Sequence, residues 1–316
     1  MGARNSGSAR GSFLPHDMKR RRIFTSNNIV LYLMFVVPFV SYVLFQYLPM
    51  AGLLIAFADY RMSGFKKWVG VDNFRQIFRM PFFWQSFRNT WVFVFLRYLF
   101  IFPAPIVLAL LLNEIRLRRL KKVVQTFTTL PHFISWVVVA GIWISLLSPT
   151  TGYVNEIIKA LGGKPFFFMA KEKLFPFLYN GISIWKEVGY SAIIFLAALA
   201  GVNPELYESA VIDGAGRLQQ TRYITLPAIS QTILIVFVLS FTGVLNLFEP
   251  IYVLRNAHIS PTAEVLDTYT YDVGIVQAHY PLATAVGLFK SSISLVMVLA
   301  ANFISKRFTE DHRGII

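Results

Sequence analysis

Arg97, Lys186, Glu187 and Lys290 lie inside runs of sequence that are otherwise apolar. A charge at the centre of a bilayer costs roughly 2.5–3.5 kcal/mol even on a lenient insertion scale, so such groups turn away from lipid and meet one another or water. Two kinds of chemistry are open to them. Glu187 can pair with Arg97 or Lys290 and hold helices in register, or the set can line a passage. Lys186 and Glu187 are adjacent, about 100° apart on a helix, and are expected to find partners on other helices rather than neutralise each other. Three cations against one anion leave positive charge over. With Arg88 near the outer end of its helix, that surplus suits an anionic solute, and the aromatic faces of Trp136, Trp143 and Tyr190 suit sugar rings. Glu249, within Asn246-Leu247-Phe248-Glu249-Pro250-Ile251-Tyr252, is a further carboxylate, expected to hold the following loop or to contact a solute.

A second group of residues falls between two apolar runs, at 203–227. Asn203 as N-cap, Pro204 at the first helical position and Glu205 in the first turn predict a helix. Gly214 can supply the left-handed residue that stops it. A second short helix is expected from about Arg217 to Tyr223, with Pro227 opening the next span. Ser209, Ala210, Gly214, Ala215 and Gly216 are small enough to let another backbone approach, and Glu208 offers a carboxylate to a basic group. The stretch reads equally as a rigid knob gripped by a partner or as a capped connector.

Other chemistries are missing from the chain. Gly162-Gly163-Lys164-Pro165 has neither the spacing nor the Ser/Thr of a phosphate-binding loop. There is no HExxH pair, no nucleophile elbow and no cysteine, and the five histidines are scattered. His132, after Pro131, reads as a structural hydrogen-bonding residue. No catalytic residue, metal site or resident cofactor is expected.

The elements that must position these residues follow from composition. Hydrophobic residues make up 55% of the 316, and charged residues only 15%, against about 25% in a soluble domain. Thirty Phe, 14 Tyr and 6 Trp exclude a disordered chain. A helix crosses a bilayer in about 20 apolar residues, and six runs qualify: Ile29 to Phe57, Thr90 to Leu112, Val123 to Leu147, Phe175 to Val202, Leu226 to Phe248 and Pro281 to Ile304. The first is far longer than the core of a removable signal peptide and is expected to stay as an anchor.

The expected architecture is therefore all-α and polytopic. It comprises a basic N-terminal segment (1–28), a six-helix membrane domain (29–304) holding the 203–227 loop, and a short tail (305–316). With the N-terminus inside, the inner segments carry sixteen Lys/Arg and the outer ones ten. The densest clusters, Lys19-Arg20-Arg21-Arg22 and Arg116 to Lys122, flank the first three spans, which sets N-in, C-in. The +14 net charge is thus read as topology, not as nucleic-acid binding. Trp68, Phe74, Phe78 and Phe82-Phe83-Trp84 suit an interfacial helix opened by Asp72 or Asn73, and Phe166-Phe167-Phe168 suits an aromatic belt.

The spacing Glu208-x-Ala210-x-x-x-Gly214, nine residues, then Ile224-x-Leu226-Pro227 resembles the EAA loop of ABC importer permeases, with Ser209 in place of the usual Ala. Likeness to the LplB-type polysaccharide permeases extends over nearly the whole chain. It is carried by Tyr47-Leu48-Pro49-Met50, Asn89-Thr90, Phe102-Pro103-Ala104-Pro105, Leu130 to Trp136, Trp185-Lys186-Glu187-Val188-Gly189 and Asp267-Thr268-Tyr269-Thr270-Tyr271. The resemblance implies a type I importer permease of the inner membrane. Glu208, Ser209, Ala210, Asp213, Gly214, Ala215, Leu226 and Pro227 would then couple it to a separate ATPase subunit, which binds the ATP and Mg. It further implies two ATPase copies, a second, paralogous permease, an extracytoplasmic solute-binding protein and an oligosaccharide substrate, acidic like alginate fragments or else neutral. An ion-driven secondary transporter is the rival. It calls for inverted repeats and mid-depth carboxylates, of which only Glu187 is present.

Overall fold

The computed structural model describes Gly2 and residues 26–308. The Lys19–Arg22 cluster and most of the expected 305–316 tail lie outside the described residues. Two compact units are distinguished, Met1–Gly52 and Leu53–Ile316. The first contains helix α1 (Ser26–Tyr42), with Pro38 inside it and a wider turn, Val43–Tyr47, after it.

The second unit begins with a small antiparallel hairpin, β1 (Ala58–Arg61) and β2 (Gly64–Trp68), an addition to the all-α expectation. Helix α2 (Asp72–Arg79) follows. Neither Asp72 nor Asn73 caps it as expected. Val71 holds the cap position, and the Asn73 amide instead donates to Ala56 O and Ala58 O at 2.9 and 3.0 Å, tying the helix to the hairpin. Helix α3 (Pro81–Leu96) passes through a wide turn at Arg97–Ile101 into α4 (Pro103–Glu114). Together they make one 34-residue helical run, considerably longer than the 90–112 stretch read from hydropathy.

The third span is broken. Helix α5 (Arg118–Thr129) leads through the tight turn Leu130–Phe133 into α6 (Trp136–Leu146), and the two halves are bent by 106°. Among the described residues, five helices are long and apolar enough to cross a membrane, six if this bent pair is counted as one. Pro131 cannot donate to the helix ladder, and the Ser135 side chain accepts from Val138 N to start α6 afresh.

Helix α7 (Tyr153–Ala160) precedes α8 (Phe175–Ala200), the 26-residue helix against which the others are organised. After α9 (Pro204–Ile212) the chain turns into α10 (Arg217–Gln220) and, without a break, into α11 (Leu226–Ser240). The expected separate second helix is therefore the first turns of the fifth span. Helices α12 (Phe248–Leu254), α13 (Ser260–Ala263) and α14 (Leu266–Tyr271) are short, and α15 (Tyr280–Phe308) closes the described chain, running past the expected boundary at 304.

Among the described residues, four buried clusters hold the unit together, the smallest of them Val94, Val244 and Leu245. Phe93, Val139, Phe175, Tyr179 and Ile251 join α3, α6, α8 and α12. Ile77, Phe83, Leu266 and Val286 join α2, α3, α14 and α15, and Ala109, Phe195 and Ile229 join α4, α8 and α11.

Candidate functional site

The 203–227 loop folds as its sequence dictates. Asn203 Oδ1 accepts from Glu205 N at 3.0 Å, satisfying a free donor of the first turn of α9. At the other end Gly214 takes φ +78°, a left-handed conformation. Gly214 N donates to Val211 O at 3.1 Å and Ala215 N to Ala210 O at 2.8 Å, the paired bonds of a Schellman stop. A Cβ at Gly214 would meet nothing within 4 Å, so glycine is there for its backbone angle and not for space.

The knob is braced to the spans. Tyr207 OH lies 3.0 Å from Thr225 Oγ1, and Gln220 Nε2 donates to Ala215 O at 2.9 Å. Arg217 Nη1 reaches Glu114 Oε2, at the end of α4, at 3.3 Å. No residue of α9 is buried, and Leu206, Val211, Ile212, Leu218 and Tyr223 expose apolar surface around it. Glu208 and Asp213 have no ion-pair partner among the described residues, while Ser209 turns its hydroxyl back to Glu205 O. Pro227 lies ten residues inside the run that begins at Arg217, so it does not open the span. Leu226 is half-buried beside it.

The embedded charges meet different partners from those expected. Glu187 pairs with neither Arg97 nor Lys290. Its Oε2 lies 2.6 Å from His132 Nδ1, and its Oε1 lies 3.3 Å from Lys186 Nζ. The 100° between adjacent positions does not keep Lys186 and Glu187 apart, because the long lysine side chain curls back. Lys186 Nζ also donates to His132 O at 2.7 Å and sits 5.6 Å from the centre of the Trp136 ring. Tyr190 lies flat on the His132 ring, centroids 3.8 Å apart. This patch of α8 thus grips the turn at which the third span bends. His132 is the structural hydrogen-bonding residue the sequence suggested.

Gly189 lets that grip close. A Cβ there would fall 2.5 Å from Thr129 N and closer still to the Thr128 carbonyl. Lys290 is likewise occupied: it donates to Asn246 Oδ1 at 2.9 Å and pairs with Asp267, whose second oxygen accepts from Leu247 N at 2.8 Å. Sequence reasoning passed over Asp267 as a charge partner because it had been assigned to an outer loop.

A cleft of about 460 Å³ lies alongside, lined by Arg97, Trp136, Glu187, Asn246, Phe248 and Glu249 among others. Of the residues expected along a solute path, Arg97, Glu187, Glu249 and Trp136 come together here. Lys186, Lys290, Trp143 and Tyr190 do not line it. Lys186 is buried behind Glu187, and the Trp143 ring packs edge-on against Trp185 at 5.7 Å. The expected surplus of positive charge is therefore absent from the wall, where one guanidinium faces two carboxylates. The Arg97 side chain has no ion pair or hydrogen bond among the described residues. Glu249 is exposed and equally without a partner, so it does not hold the following loop.

That following segment is no surface loop. Ile251, Leu254, Ile259, Ala263, Val265 and Leu266 are each 1% exposed or less. Asn89 donates to Pro261 O and Glu264 O at 2.8 and 2.9 Å, and Thr90 Oγ1 accepts from Leu266 N at 2.9 Å, so α3 satisfies its backbone. Arg255 forms a two-pronged pair with Asp272 at 2.7 and 2.9 Å, and those bonds raise its pKa above the ordinary guanidinium value. Burial pushes the Glu264 carboxyl up, against the hydrogen bond it accepts from Thr268.

Residues 103–310, which include the knob, match the family of binding-protein-dependent transport system inner membrane components. The chain belongs to that family. This permease, a subunit of an ABC importer and a multi-pass protein of the inner membrane, is not itself an enzyme. It is 44% identical over 285 residues to Protein LplB of Bacillus subtilis (strain 168), covering 89% of this chain and 90% of the relative. The Polygalacturonan/rhamnogalacturonan transport system permease protein YteP of the same organism is 42% identical over 304 residues, covering 95% and 94%. The permease also superposes on a chain from the crystal structure of a bacterial ABC transporter involved in the import of the acidic polysaccharide alginate. The TM-score is 0.85 at 40% identity, with 90% of this chain and 97% of that chain covered. A second structure, of a bacterial alginate ABC transporter in complex with an alginate pentasaccharide-bound periplasmic protein, gives a TM-score of 0.84 at 40% identity, covering 90% and 96%.

Proposed function

We propose that this permease forms half of the path of an ATP-driven oligosaccharide importer and that α9 is the element through which a separate ATPase subunit drives it. The observation that carries this reading is the knob itself. It is capped at both ends, held by Tyr207–Thr225 to the fifth span, whose first turn is in turn tied to α4 by Arg217–Glu114, and it leaves its apolar side chains uncovered. A body so braced moves as a unit. Seated in a groove on the ATPase, it would pass closure of the nucleotide sites into α4 and α11 as a rigid displacement. The cleft would then switch between two packings of the helices. ATP and Mg belong to the partner; two ATPase copies, a paralogous second permease and an extracytoplasmic solute-binding protein complete the assembly.

The substrate in this reading is an acidic oligosaccharide. Arg97, whose side chain has no direct partner among the described residues, offers a forked donor to a carboxylate, Trp136 and Phe248 offer faces to sugar rings, and Glu249 can accept from hydroxyls. The relatives' named polysaccharides agree. The two carboxylates on the wall favour a second reading, in which the sugar is neutral. Substrate-stimulated ATPase of the complete importer with acidic and neutral oligosaccharides of equal length separates the two. Preferential stimulation by the acidic series, lost in Arg97→Gln, supports the first; equal stimulation by both series refutes it. Glu208→Lys is expected to leave the subunit inserted and to uncouple ATPase from substrate, and normal coupling in that variant would refute the role of α9.

A further inference from the structure

A second concavity, of about 640 Å³, lies between α3 and the start of α8 and shares no lining residue with the cleft. Its wall is apolar: Trp91, Val92, Phe95, Pro176 and Phe177 among others. Two basic side chains also border it, Arg88 and Lys173. On α3 the sequence positions 88, 91, 92 and 95 are spaced by three, four and seven residues, so they form one stripe of the helix with the guanidinium at one end.

The two cations share that end. Phe93 packs against Phe175 and Tyr179, with ring centroids 5.9 and 5.1 Å apart, so residue 93 of α3 lies level with the first turns of α8. Arg88 is five residues before that level, about 7.5 Å along the axis, and Lys173 precedes it from the other side. Both are exposed, and neither side chain has an ion pair or a hydrogen bond among the described residues; Glu172, next to Lys173, is not paired with either. An apolar trough in a membrane-spanning surface, crowned by two uncompensated cations, has the chemistry of an anionic lipid: a phosphate head and a hydrocarbon chain.

We propose that this groove binds one anionic phospholipid, its headgroup phosphate between Arg88 and Lys173 and an acyl chain along Trp91, Val92, Phe95 and Phe177. A neutral lipid would fill the trough but gain nothing from the cations. The complete importer, purified in mild detergent, is titrated with phosphatidylglycerol or with phosphatidylcholine of the same chains, and retained lipid is counted by native mass spectrometry. Phosphatidylglycerol is expected to be retained selectively. Each basic residue near a membrane surface contributes about fivefold to binding of an anionic lipid, so Arg88→Gln with Lys173→Gln together lower its retention by about thirtyfold. Phosphatidylcholine is expected to be unaffected, and the charge-keeping exchange Arg88→Lys with Lys173→Arg is expected to restore most of the loss. Equal retention of the two lipids by the unaltered importer overturns the proposal, as does unchanged phosphatidylglycerol retention in the double variant. Loss of the second permease from the double variant also overturns it, by marking the groove as a protein interface. Because the readout is lipid and not transport, it is independent of which sugar the importer carries.

Discussion

Substituting alanine at Gly189 probes the crossing that holds the bent third span, and Gly181 on the same helix supplies its control. Gly189 is buried, and an added Cβ would press into the backbone of Thr128 and Thr129. Gly181 is exposed, with nothing within 4 Å of an added Cβ. Both substitutions lower the conformational entropy of the unfolded chain and raise helix propensity, together worth roughly 0.5–1 kcal/mol in favour of the folded helix. That gain is common to the two, so their difference isolates the packing cost. Overpacking a tight contact costs typically about 1–3 kcal/mol, and a clash against backbone cannot be relieved by a rotamer change. Gly189→Ala is therefore expected to be less stable than Gly181→Ala by about 1–3 kcal/mol. Separating α8 from α5 also lengthens the Lys186 and Glu187 bonds to His132, so transport-coupled ATPase should fall in the first variant only. Thermal unfolding of the purified complex, with both variants measured side by side, checks the order. Equal midpoints would refute the argument that the grip of α8 on the turn depends on a residue without a side chain.

Lys290→Met is expected to cost up to about 3–5 kcal/mol, because Asp267 is left charged and largely desolvated, while adding Asp267→Asn should recover much of it; a double variant no more stable than the single, by thermal unfolding, would refute the pairing. Asn89→Ala strips its donor from Glu264 O, while Pro261 O keeps the bond from Gln85 Nε2 at 2.6 Å, so the expected cost is about 1–3 kcal/mol for the one carbonyl left dry, read in the same assay. Gly214→Ala meets no clash but pays the left-handed penalty of about 1–2 kcal/mol locally, so coupling should weaken while expression holds, and Gly214→Asn should be milder. A Glu264 carboxyl raised by burial is disfavoured as its anion in the folded state. Its contribution is whole below the ordinary carboxylate range and falls as pH rises through the raised value. Glu264→Gln should flatten that part of the stability profile, and an unchanged profile would contradict the shift.

The first helix of the knob was legible in sequence to the residue, though the second was not. Asn203, Pro204 and Gly214 act through backbone groups within a few positions of themselves, and such local signals survive whatever the rest of the chain does. The spans were legible too, since length and hydropathy decide who enters a bilayer. The bend at 130–135 was not, because a hydropathy window counts apolar residues without regard to direction. The charge partners were missed for a related reason. Glu187 was sought by Arg97 and Lys290 on the ground that these were the other embedded charges, whereas its neighbours are a histidine 55 positions away and the lysine beside it.

Sequence alone thus determined that this chain crosses a membrane many times and presents a glycine-stopped helix between its fourth and fifth spans. Each of these follows from composition or from contacts a few residues long. The tertiary structure decided which charges are spent on holding helices and which remain at the cleft, leaving Arg97 and Glu249 free while Lys186 and Lys290 are occupied. It also decided that the segment after the fifth span packs inward. These outcomes depend on helices distant in sequence meeting at particular heights and angles, and no short stretch of residues encodes them.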